Sequence, residues 1–399
     1  MKILVLNCGS SSVKFALVET GDAGLLARGL AEPIGAAAGS VSWETRGRFR
    51  TTAALPDHSE AIRIALDCLL DPDRGAIRTL AEIEGVGHRM VHGGEHFSGS
   101  VAIDEAVLRA IEECAALAPL HNPHNLSGYR ASRRLLPAAA QVAVFDTAFH
   151  QTLPARAYTY ALPHELCARH KLRRYGFHGT SHRYVVQRFA EIQGGAPAAY
   201  RLITCHLGNG CSMTAVDRGR SVDTSLGFTP LEGLVMGTRS GDADPGMLLQ
   251  LMEWEQLSPG RMLSLLNKES GLLGISGISN DMRIVLEHAG GGNERARLAV
   301  EVFCYRIRKY IGAYFAVLNG ADAVVFTGGI GENAPEIRAR ACESLEALGI
   351  RIDPAKNAAA VGAEMDISAD GGATRVWVIP TNEELLIARD TAWCIEESK

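Results

Sequence analysis

Two stretches of this sequence share one order of elements: a strand-like run, a turn of small polar residues, and a second strand-like run. The first stretch covers residues 3–18, where the turn reads NCGSSS from residue 7 to residue 12. The second covers residues 201–216, where the turn reads HLGNGCS. Because the stretches lie about half the chain length apart, they predict a duplicated domain.

Both turns consist of residues that leave the backbone accessible. Short side chains let several backbone N–H groups converge on one point, and such a concave surface binds anions. A single turn of this kind more often closes an ordinary hairpin. Since there are two of them, and Lys14 follows the first closely, we favour a ligand phosphate bound between them.

The rest of the chain alternates strand-like runs with capped helix patterns. With 399 residues and 47% hydrophobic content, the chain can bury large cores in two or three domains. Further strands are predicted at residues 141–145, 201–205, 323–327 and 375–379. Helices are predicted at residues 57–70, 104–118, after 258–259, 293–319 and 381–397. This alternation predicts an α/β protein.

Charge and composition narrow the classes of partner. The 40 Lys and Arg against 45 Asp and Glu leave a net charge of −5, which argues against a nucleic acid or an anionic membrane and favours small ligands. Neither a signal peptide nor an apolar run of about 18 residues is apparent, so we expect a cytoplasmic protein. The nine cysteines form no C-x-x-C pair, which indicates reduced, mostly buried thiols.

Other nucleotide-binding motifs offer one alternative. No glycine precedes a lysine, so the P-loop motif is absent. Gly329 and Gly331, followed by Ala334 and, about twenty residues later, Asp353, form a relaxed dinucleotide fingerprint after a strand. An NAD-dependent dehydrogenase therefore stays open, although this motif explains neither hairpin. On either interpretation the glycines place a ligand near a helix N-terminus.

The histidines raise the question of a metal site. His88, His92 and His96 recur at the spacing of one helix face, which would suit zinc, but the intervening GG pair at residues 93–94 disfavours that helix. We therefore do not expect zinc. His178 and His206 lie beside glycines in loops, where they could donate hydrogen bonds to an anion, although most histidines serve structural roles.

Two arginines and two carboxylates complete the candidates. Arg89 and Arg239 lie among glycines, where a planar guanidinium suits a carboxylate or a phosphoryl group, or else binds a nearby carbonyl. Asp146 follows a strand and Glu383 begins the last helix, so either could hold Mg²⁺ directly or through water. Each could instead cap a helix.

Together these motifs resemble the acetokinase family of short-chain acyl kinases. LVLNCGSSSVKF and VVFTGGIGENA match its two signatures, and GHRMVHGG, PLHNPHN, FDTAFH, YGFHGTSH, HLGNG, GFTPLEGLVMGTRSGDADPG, SGISNDMR and PTNEEL follow in family order over residues 2–397. The resemblance implies a duplicated two-domain, actin/sugar-kinase-like (ribonuclease H-like) α/β fold with an ATP cleft between the domains. It places an acyl and phosphate domain at residues 1–150, joined by the C-terminal helix 384–399, and a nucleotide-binding domain at 151–383.

The resemblance also implies roles for individual residues. Magnesium would be held by Asn7 and Glu383, and the ATP phosphates would lie near Ser10, Ser12 and Lys14. The nucleotide would be lined by His206, Leu207, Gly208, Asn209, Gly210, Asp281, Met282, Arg283, Gly329, Ile330, Gly331, Glu332 and Asn333. The acyl substrate would be bound by Arg89, Val91, Leu120, His121, Phe177 and Pro230. Catalysis would rest on Arg89, Asp146, His178 and Arg239, with His178 and Arg239 stabilising the transition state.

The implied reaction is reversible, Mg²⁺-dependent in-line transfer of the ATP γ-phosphoryl group to acetate, giving acetyl phosphate and ADP, in a homodimer where Mn²⁺ can replace Mg²⁺. A carboxylic acid is already ionised at pH 7, so the acceptor needs no strong base, and the difficulty is charge repulsion. We therefore interpret Asp146 as an orienting residue. The alternatives are a propionate or butyrate kinase, a sugar or glycerol kinase, and an actin-like ATP-binding filament or chaperone.

Overall fold

The chain folds into two units, each with its own sheet. The computed structural model describes residues 1–22, 24–118 and 121–398. Unit 1 comprises Met1–Gln151 together with the C-terminal residues from Asn382, and unit 2 comprises Thr152–Thr381. Glu383, which the sequence-based boundary assigned to the second domain, thus lies in unit 1. Within the described residues, no helix has the length and apolar character needed to cross a membrane.

Unit 1 is built on a mixed sheet with the strand order β5-β4-β3-β2-β1-β6-β8-β7. Its strands are β1 (Lys2–Cys8), β2 (Val13–Glu19), β3 (Gly24–Glu32), β4 (Ala36–Glu44), β5 (Arg48–Leu55), β6 (Ile83–Met90), β7 (Val101–Ala102) and β8 (Ala140–Phe145). Strands β1 and β2 form the predicted antiparallel hairpin, and β1, β6 and β8 run parallel. The parallel strands therefore end at one edge of the sheet.

Unit 2 repeats this arrangement in the strand order β11-β10-β9-β12-β14-β13. Its strands are β9 (Arg201–Leu207), β10 (Cys211–Asp217), β11 (Arg220–Thr224), β12 (Ala323–Thr327), β13 (Met365–Asp366) and β14 (Arg375–Val378). Again a hairpin is followed by two parallel strands and an antiparallel edge strand. The α/β fold class is confirmed, and the recurring strand order supports the duplication.

The helices cover both sheets. They are α1 (His58–Leu70), α2 (Glu105–Glu113), α3 (Asn122–Leu135), α4 (Ala155–Tyr158), α5 (His164–His170), α6 (Gly179–Ile192), α7 (Pro245–Trp254), α8 (Pro259–Ser264), α9 (Gly271–Ser276), α10 (Met282–Gly290), α11 (Glu294–Leu318), α12 (Gly328–Asn333), α13 (Pro335–Cys342), α14 (Pro354–Ala359) and α15 (Glu383–Glu397). Predicted caps are present at α1, where the Asp57 carboxylate accepts the Glu60 N–H at 2.9 Å, and at the end of α11, where Asn319 has φ +52°. The helix predicted from residue 381 begins at Glu383 and is capped by Asn382. The predicted helix 104–118 is shorter, because Cys114–Ala116 tightens into a 3-10 turn.

The alternation of side chains along β1 decides which helices cover each face of the first sheet. Leu4, Leu6 and Cys8 belong to the core that includes residues of α1 and α3, whereas Ile3 and Val5 pack with residues of α15.

Glycines on β6 let α15 come close to the sheet. A Cβ at Gly87 would lie 2.4 Å from Thr391 Oγ1 and 2.6 Å from Ile387 Cγ2. Helix α15 therefore rests directly on β6, and its first residue, Glu383, is held in unit 1.

Candidate functional site

In unit 1, four polar side chains meet where the parallel strands end. Asn7 continues the face of β1 that α15 covers, Arg89 lies near the end of β6, and Asp146 follows β8. Arg89 donates from Nε to Asp146 Oδ1 at 3.2 Å, from Nη2 to Asp146 Oδ2, and from Nη1 to Asn7 Oδ1 at 3.3 Å. Glu383 Oε2 lies 3.6 Å from Arg89 Nε. The structure thus brings these four predicted residues together.

The charges of this cluster are unequal, with two carboxylates around one guanidinium. Burial raises the pKa of Glu383 to about 7, against the opposing charge of Arg89 and with the added repulsion of Asp146. For Arg89, burial favours loss of the proton, but Asp146 and Glu383 outweigh it and raise the pKa above its ordinary value. Arg89 is therefore always charged, and when both carboxylates are ionised the cluster carries an excess negative charge that a further cation can balance.

The donor set of this cluster fits a hard divalent cation. Asn7 offers an amide oxygen, and Asp146 and Glu383 offer carboxylate oxygens, which are the ligands preferred by Mg²⁺ and Mn²⁺. Among the described residues, no group of three or more His, Cys, Asp or Glu could hold a metal ion. The chain thus supplies few ligands, as at Mg²⁺ sites that keep waters and bind substrate phosphates.

The first hairpin turn is closed by a backbone hydrogen bond and exposes polar side chains. The Gly9 N–H donates to Ser12 O at 2.9 Å, while Ser10 is exposed. Lys14 is also exposed and pairs across the hairpin with Asn7, so both side chains lie on one face of the sheet. The turn therefore presents its predicted phosphate-binding residues to the surroundings.

The predicted acyl-binding residues of unit 1 lie just beyond β6. Val91 is 8% exposed, and its N–H donates to Asn125 Oδ1 at 3.1 Å. Asn125 Nδ2 in turn donates to Cys8 O at 2.7 Å, which connects Val91 to the end of β1. His121 precedes α3 at its N-cap, and Leu120 lies outside the described residues.

In unit 2, the predicted histidines belong to a network of hydroxyl and imidazole groups. His178 has φ +56° at the start of α6, and its Nδ1 lies 2.8 Å from Ser212 Oγ. The ring centroids of His178 and His206 are 4.4 Å apart. Ser212 Oγ also lies 2.7 Å from His182 Nε2, and Ser181 Oγ lies 2.8 Å from His206 Nδ1. Ser212 of the second hairpin thus contacts His178, and Ser181 of α6 contacts His206, which itself lies on β9.

Arg239 lies near His178 but differs from Arg89 in its charge environment. Its Nη1 donates to Pro230 O at 3.2 Å, and a Cβ at Gly210 would lie 3.4 Å from this Nη1 and 3.6 Å from His178 Nε2. Burial lowers the pKa of Arg239, and in the described parts of the chain no carboxylate forms an ion pair with it. A half-buried guanidinium with no carboxylate partner among the described residues favours an anionic ligand.

Most of the predicted nucleotide residues line one cavity of unit 2, of about 780 Å³. The predicted residues on its walls are Gly208, Asn209, Asp281, Met282, Arg283, Gly329, Ile330 and Asn333. Ala334 of the dinucleotide-like motif also lines it, as do Asn280, Leu286, Pro335 and Glu336, which the sequence did not single out. Of the other candidates, Leu207 and Gly331 are buried. Glu332 faces inward, where its Oε1 accepts from Gly328 N at 2.8 Å and Thr381 N at 3.0 Å.

Arg338, which the sequence did not single out, stabilises this cavity wall through hydrogen bonds to backbone carbonyls of α12. It is fully buried, and its Nη1 donates to Gly331 O at 2.8 Å and Glu332 O at 3.1 Å. Its other contacts include Asn357 Oδ1 at 2.8 Å. Among the described residues, the hydrogen bonds of this buried arginine all go to carbonyl oxygens, so it caps the end of α12. No local pattern in the sequence distinguishes it from a surface arginine on α13.

The three histidines at the zinc-like spacing, His88, His92 and His96, do not share a helix. His88 belongs to strand β6 rather than to a helix, and its Nε2 lies 2.8 Å from Gln141 Oε1. Burial lowers the pKa of His88 to about 4.

This depressed pKa predicts a pH-dependent stability. Because unfolded His88 takes up a proton near pH 6.5 and the folded form does not until about pH 4, stability is present above pH 6.5 and declines towards pH 4. We expect the wild type to lose up to about 3 kcal/mol more than His88→Gln over this interval. Urea unfolding at pH 7 and pH 5 measures the difference, and parallel losses in both proteins would contradict the burial of neutral His88.

Comparison with known sequences gives one consistent result. A family model described as the Acetokinase family matches residues 2–389. The acetate kinase of Alkaliphilus metalliredigens is 54% identical over 393 residues, covering 98% of this chain and 99% of its own. The acetate kinase of Thermotoga maritima is 52% identical over 400 residues, covering 100% of this chain and 99% of its own.

Solved structures agree with the sequences. The crystal structure of Porphyromonas gingivalis acetate kinase matches with a TM-score of 0.95 at 48% identity, over 99% of each chain. A propionate kinase from Francisella tularensis matches with a TM-score of 0.92 at 44% identity, over 98% of this chain and 99% of its own. The similarity therefore extends through both units.

Proposed function

Since the chain belongs to the acetokinase family, we propose that it transfers the γ-phosphoryl group of ATP to acetate, giving acetyl phosphate and ADP. The observation that carries this proposal is the setting of Arg89, held by Asp146 and Asn7 beside Glu383 at the carboxyl ends of parallel strands. A guanidinium fixed in this way suits a small carboxylate acceptor beside a metal-bound phosphate.

Arg89 has capacity left for the acceptor. A guanidinium has five N–H donors, and within the described residues Arg89 uses three of them, towards Asp146 and Asn7. The two others can bind the carboxylate of acetate. Because acetate is already ionised at neutral pH, Asp146 need not remove a proton. Its buried carboxylate orients Arg89 instead.

The groups of unit 2 suit the transferring phosphoryl group. Negative charge spreads over three equatorial oxygens in the transition state, and His178 and Arg239 are the donors proposed to meet it. Both border Gly210, whose missing side chain leaves room for a phosphate to approach. The adenosine would bind in the cavity of about 780 Å³, whose wall includes Gly208 and Asn209 from the turn of the second hairpin.

A divalent ion completes the proposed charge balance. Asn7 and Glu383 would hold Mg²⁺ or Mn²⁺, with water and phosphate oxygens as the remaining ligands. Such an ion, when bound, neutralises charge on the nucleotide phosphates. Lys14 and the first hairpin turn would contact the same phosphates through their N–H groups. Direct in-line transfer needs no covalent enzyme intermediate.

The test is a product trap. Purified protein with ATP and Mg²⁺ is offered acetate, propionate, butyrate or glycerol in turn, and hydroxylamine captures any acyl phosphate. We expect acyl hydroxamate with acetate and no acceptor-dependent ADP with glycerol. Absence of hydroxamate with every carboxylate would overturn the proposal, whereas NADH binding would favour the dehydrogenase alternative.

Acyl length is the finer question, because one similar structure is a propionate kinase. If Val91 borders the acyl methyl, Val91→Ala admits roughly one more CH₂, which typically shifts discrimination by about 1–3 kcal/mol. We expect the propionate-to-acetate ratio of kcat/KM to rise at least severalfold. Val86, a fully buried valine of β6, supplies the control Val86→Ala, which should lower stability and leave the ratio unchanged. An unchanged ratio in active Val91→Ala would remove Val91 from the pocket.

We also propose a cytoplasmic homodimer. Helix α7 has no buried residue, and Leu249 and Trp254 on it are 69% and 72% exposed, which suits burial against a second copy of the chain. Sedimentation should give twice the chain mass of 42.7 kDa, and Trp254→Glu should weaken association. A single-chain mass at micromolar concentration would contradict the dimer.

The proposed cytoplasmic location agrees with the cysteines. The described cysteines form no disulfide, as is usual in a reducing compartment.

A further inference from the structure

Two loops of unit 2 carry the residues proposed to act on the reacting groups. The 171–178 loop, between α5 and α6, ends with Phe177 and His178. The 225–244 loop, between β11 and α7, contains Pro230 and Arg239. Transfer of a phosphoryl group depends on the mutual placement of these residues to within fractions of an ångström. Whatever fixes one loop against the other therefore affects catalysis.

We propose that Arg174, Glu232 and Tyr160 form a clamp that fixes these two loops against each other, and that Glu232 is a positioning residue for phosphoryl transfer. The inference rests on the proposed function, which supplies the reaction that the clamp would affect. None of the three side chains is among the groups assigned to substrate or nucleotide.

The centre of the clamp is an ion pair between the two loops. Arg174 Nη2, in the 171–178 loop, donates to Glu232 Oε1 in the 225–244 loop. The same guanidinium donates from Nη1 to Thr224 O at the end of β11, at 3.0 Å, and to the first two carbonyl oxygens of that loop, Ser225 O at 3.3 Å and Leu226 O at 3.1 Å. One side chain thus holds both the beginning and the middle of the second loop.

Further hydrogen bonds join the same two segments. The N–H groups of Tyr175 and Gly176 both donate to Gly227 O, at 3.1 and 3.3 Å. Tyr160 donates from its hydroxyl to Glu232 Oε2 and accepts the Phe228 N–H at 2.8 Å. Backbone and side-chain contacts therefore converge on a stretch only a few residues from Pro230.

The glycine at position 227 is required by this arrangement. A Cβ there would lie 1.9 Å from Glu232 Oε2 and 2.2 Å from the Tyr160 hydroxyl. The carboxylate and the phenol thus occupy the space that any side chain would need. Glu232 is packed directly against the backbone of its own loop at Gly227.

A short path of covalent and hydrogen bonds connects the clamp to Arg239. Pro230 lies two residues before Glu232, and its carbonyl oxygen accepts from Arg239 Nη1 at 3.2 Å. At the other side, Arg174 lies four residues before His178. Release of Glu232 would let the 225–244 loop shift relative to the 171–178 loop, which changes the distance between Arg239 and His178.

The experiment compares Glu232→Gln with the matched control Glu364→Gln. Glu364 also pairs with an arginine of unit 2, Arg188, and its side chain is 30% exposed against 32% for Glu232. For Glu232→Gln we expect kcat/KM for acetate to fall roughly ten- to hundredfold, through kcat and the acetate KM. The ATP KM should stay within about twofold, because the adenosine cavity is lined by residues outside both loops. Glu364→Gln should retain wild-type kinetics.

Two further measurements keep the outcome decisive. Tyr160→Phe removes one hydrogen bond to Glu232 but leaves the ion pair with Arg174 in place, so this variant should fold. Its kcat/KM for acetate should fall less than that of Glu232→Gln. If Glu232→Gln and Tyr160→Phe match Glu364→Gln in kcat and acetate KM, the clamp is only structural and the inference fails. If wild type itself makes no acyl phosphate, the proposed function fails instead. An equal rise in the KM for ATP and for acetate would also count against positioning.

Discussion

Arg239→Ala is expected to lower kcat/KM by roughly 10³- to 10⁵-fold, the range found for arginines that stabilise phosphoryl transfer. Arg239 is half-buried, desolvation lowers its pKa, and among the described residues no carboxylate balances its charge. An anion is therefore its natural partner. Because that anion is proposed to be the transition state more than ATP itself, the loss should fall mainly on kcat.

Two controls separate chemistry from folding in this experiment. Arg239→Lys keeps the charge but loses the planar fork, so it should recover only part of the activity. Added guanidinium ion should partly restore Arg239→Ala if the cavity survives. A folded Arg239→Ala with kcat within tenfold of wild type would remove Arg239 from the transition state.

Removal of divalent metal is expected to abolish activity altogether. EDTA should bring turnover below detection, and Mg²⁺ or Mn²⁺ should restore it, because Asn7, Asp146 and Glu383 offer hard oxygen donors. Zn²⁺ should not restore activity, since the described residues provide no cluster of His and Cys for it. Tightly bound stoichiometric zinc in the purified protein would contradict this assignment.

The metal assignment has its own matched variants. Glu383→Gln should raise the Mg²⁺ concentration for half-maximal activity at least tenfold, because a neutral amide replaces one anionic ligand. The neighbouring Glu384 is exposed in the same turn of α15, so Glu384→Gln should change that concentration little. Equal effects of the two substitutions would indicate a general electrostatic influence rather than coordination.

Local patterns in the sequence were sufficient for much of the fold. The hairpin turns, the strand runs and the capped helices were predicted because each depends on neighbouring residues. Local context also singled out Arg89, Asp146 and Glu383 as candidates, resemblance to the family added their roles, and the structure brings the three together. Their roles in binding and catalysis stay predictions.

The sequence did not predict contacts between residues that lie far apart along the chain. Arg174 and Glu232 are 58 residues apart, and neither lies in a pattern that marks a partner. Glu332 was predicted to line the nucleotide, yet its Oε1 binds backbone N–H groups of unit 2. Whether a carboxylate turns inward or outward depends on donors brought together only by the fold.

The return of α15 to the first sheet has a consequence for synthesis of the protein. Some 230 residues of unit 2 are made between Gln151 and Asn382, which takes roughly 10–50 s at ribosomal rates. During that time Ile3, Val5 and the other apolar residues under α15 lack their cover. Until α15 has been synthesised, the nascent first unit thus exposes this apolar surface and lacks Glu383, one of the two proposed metal ligands.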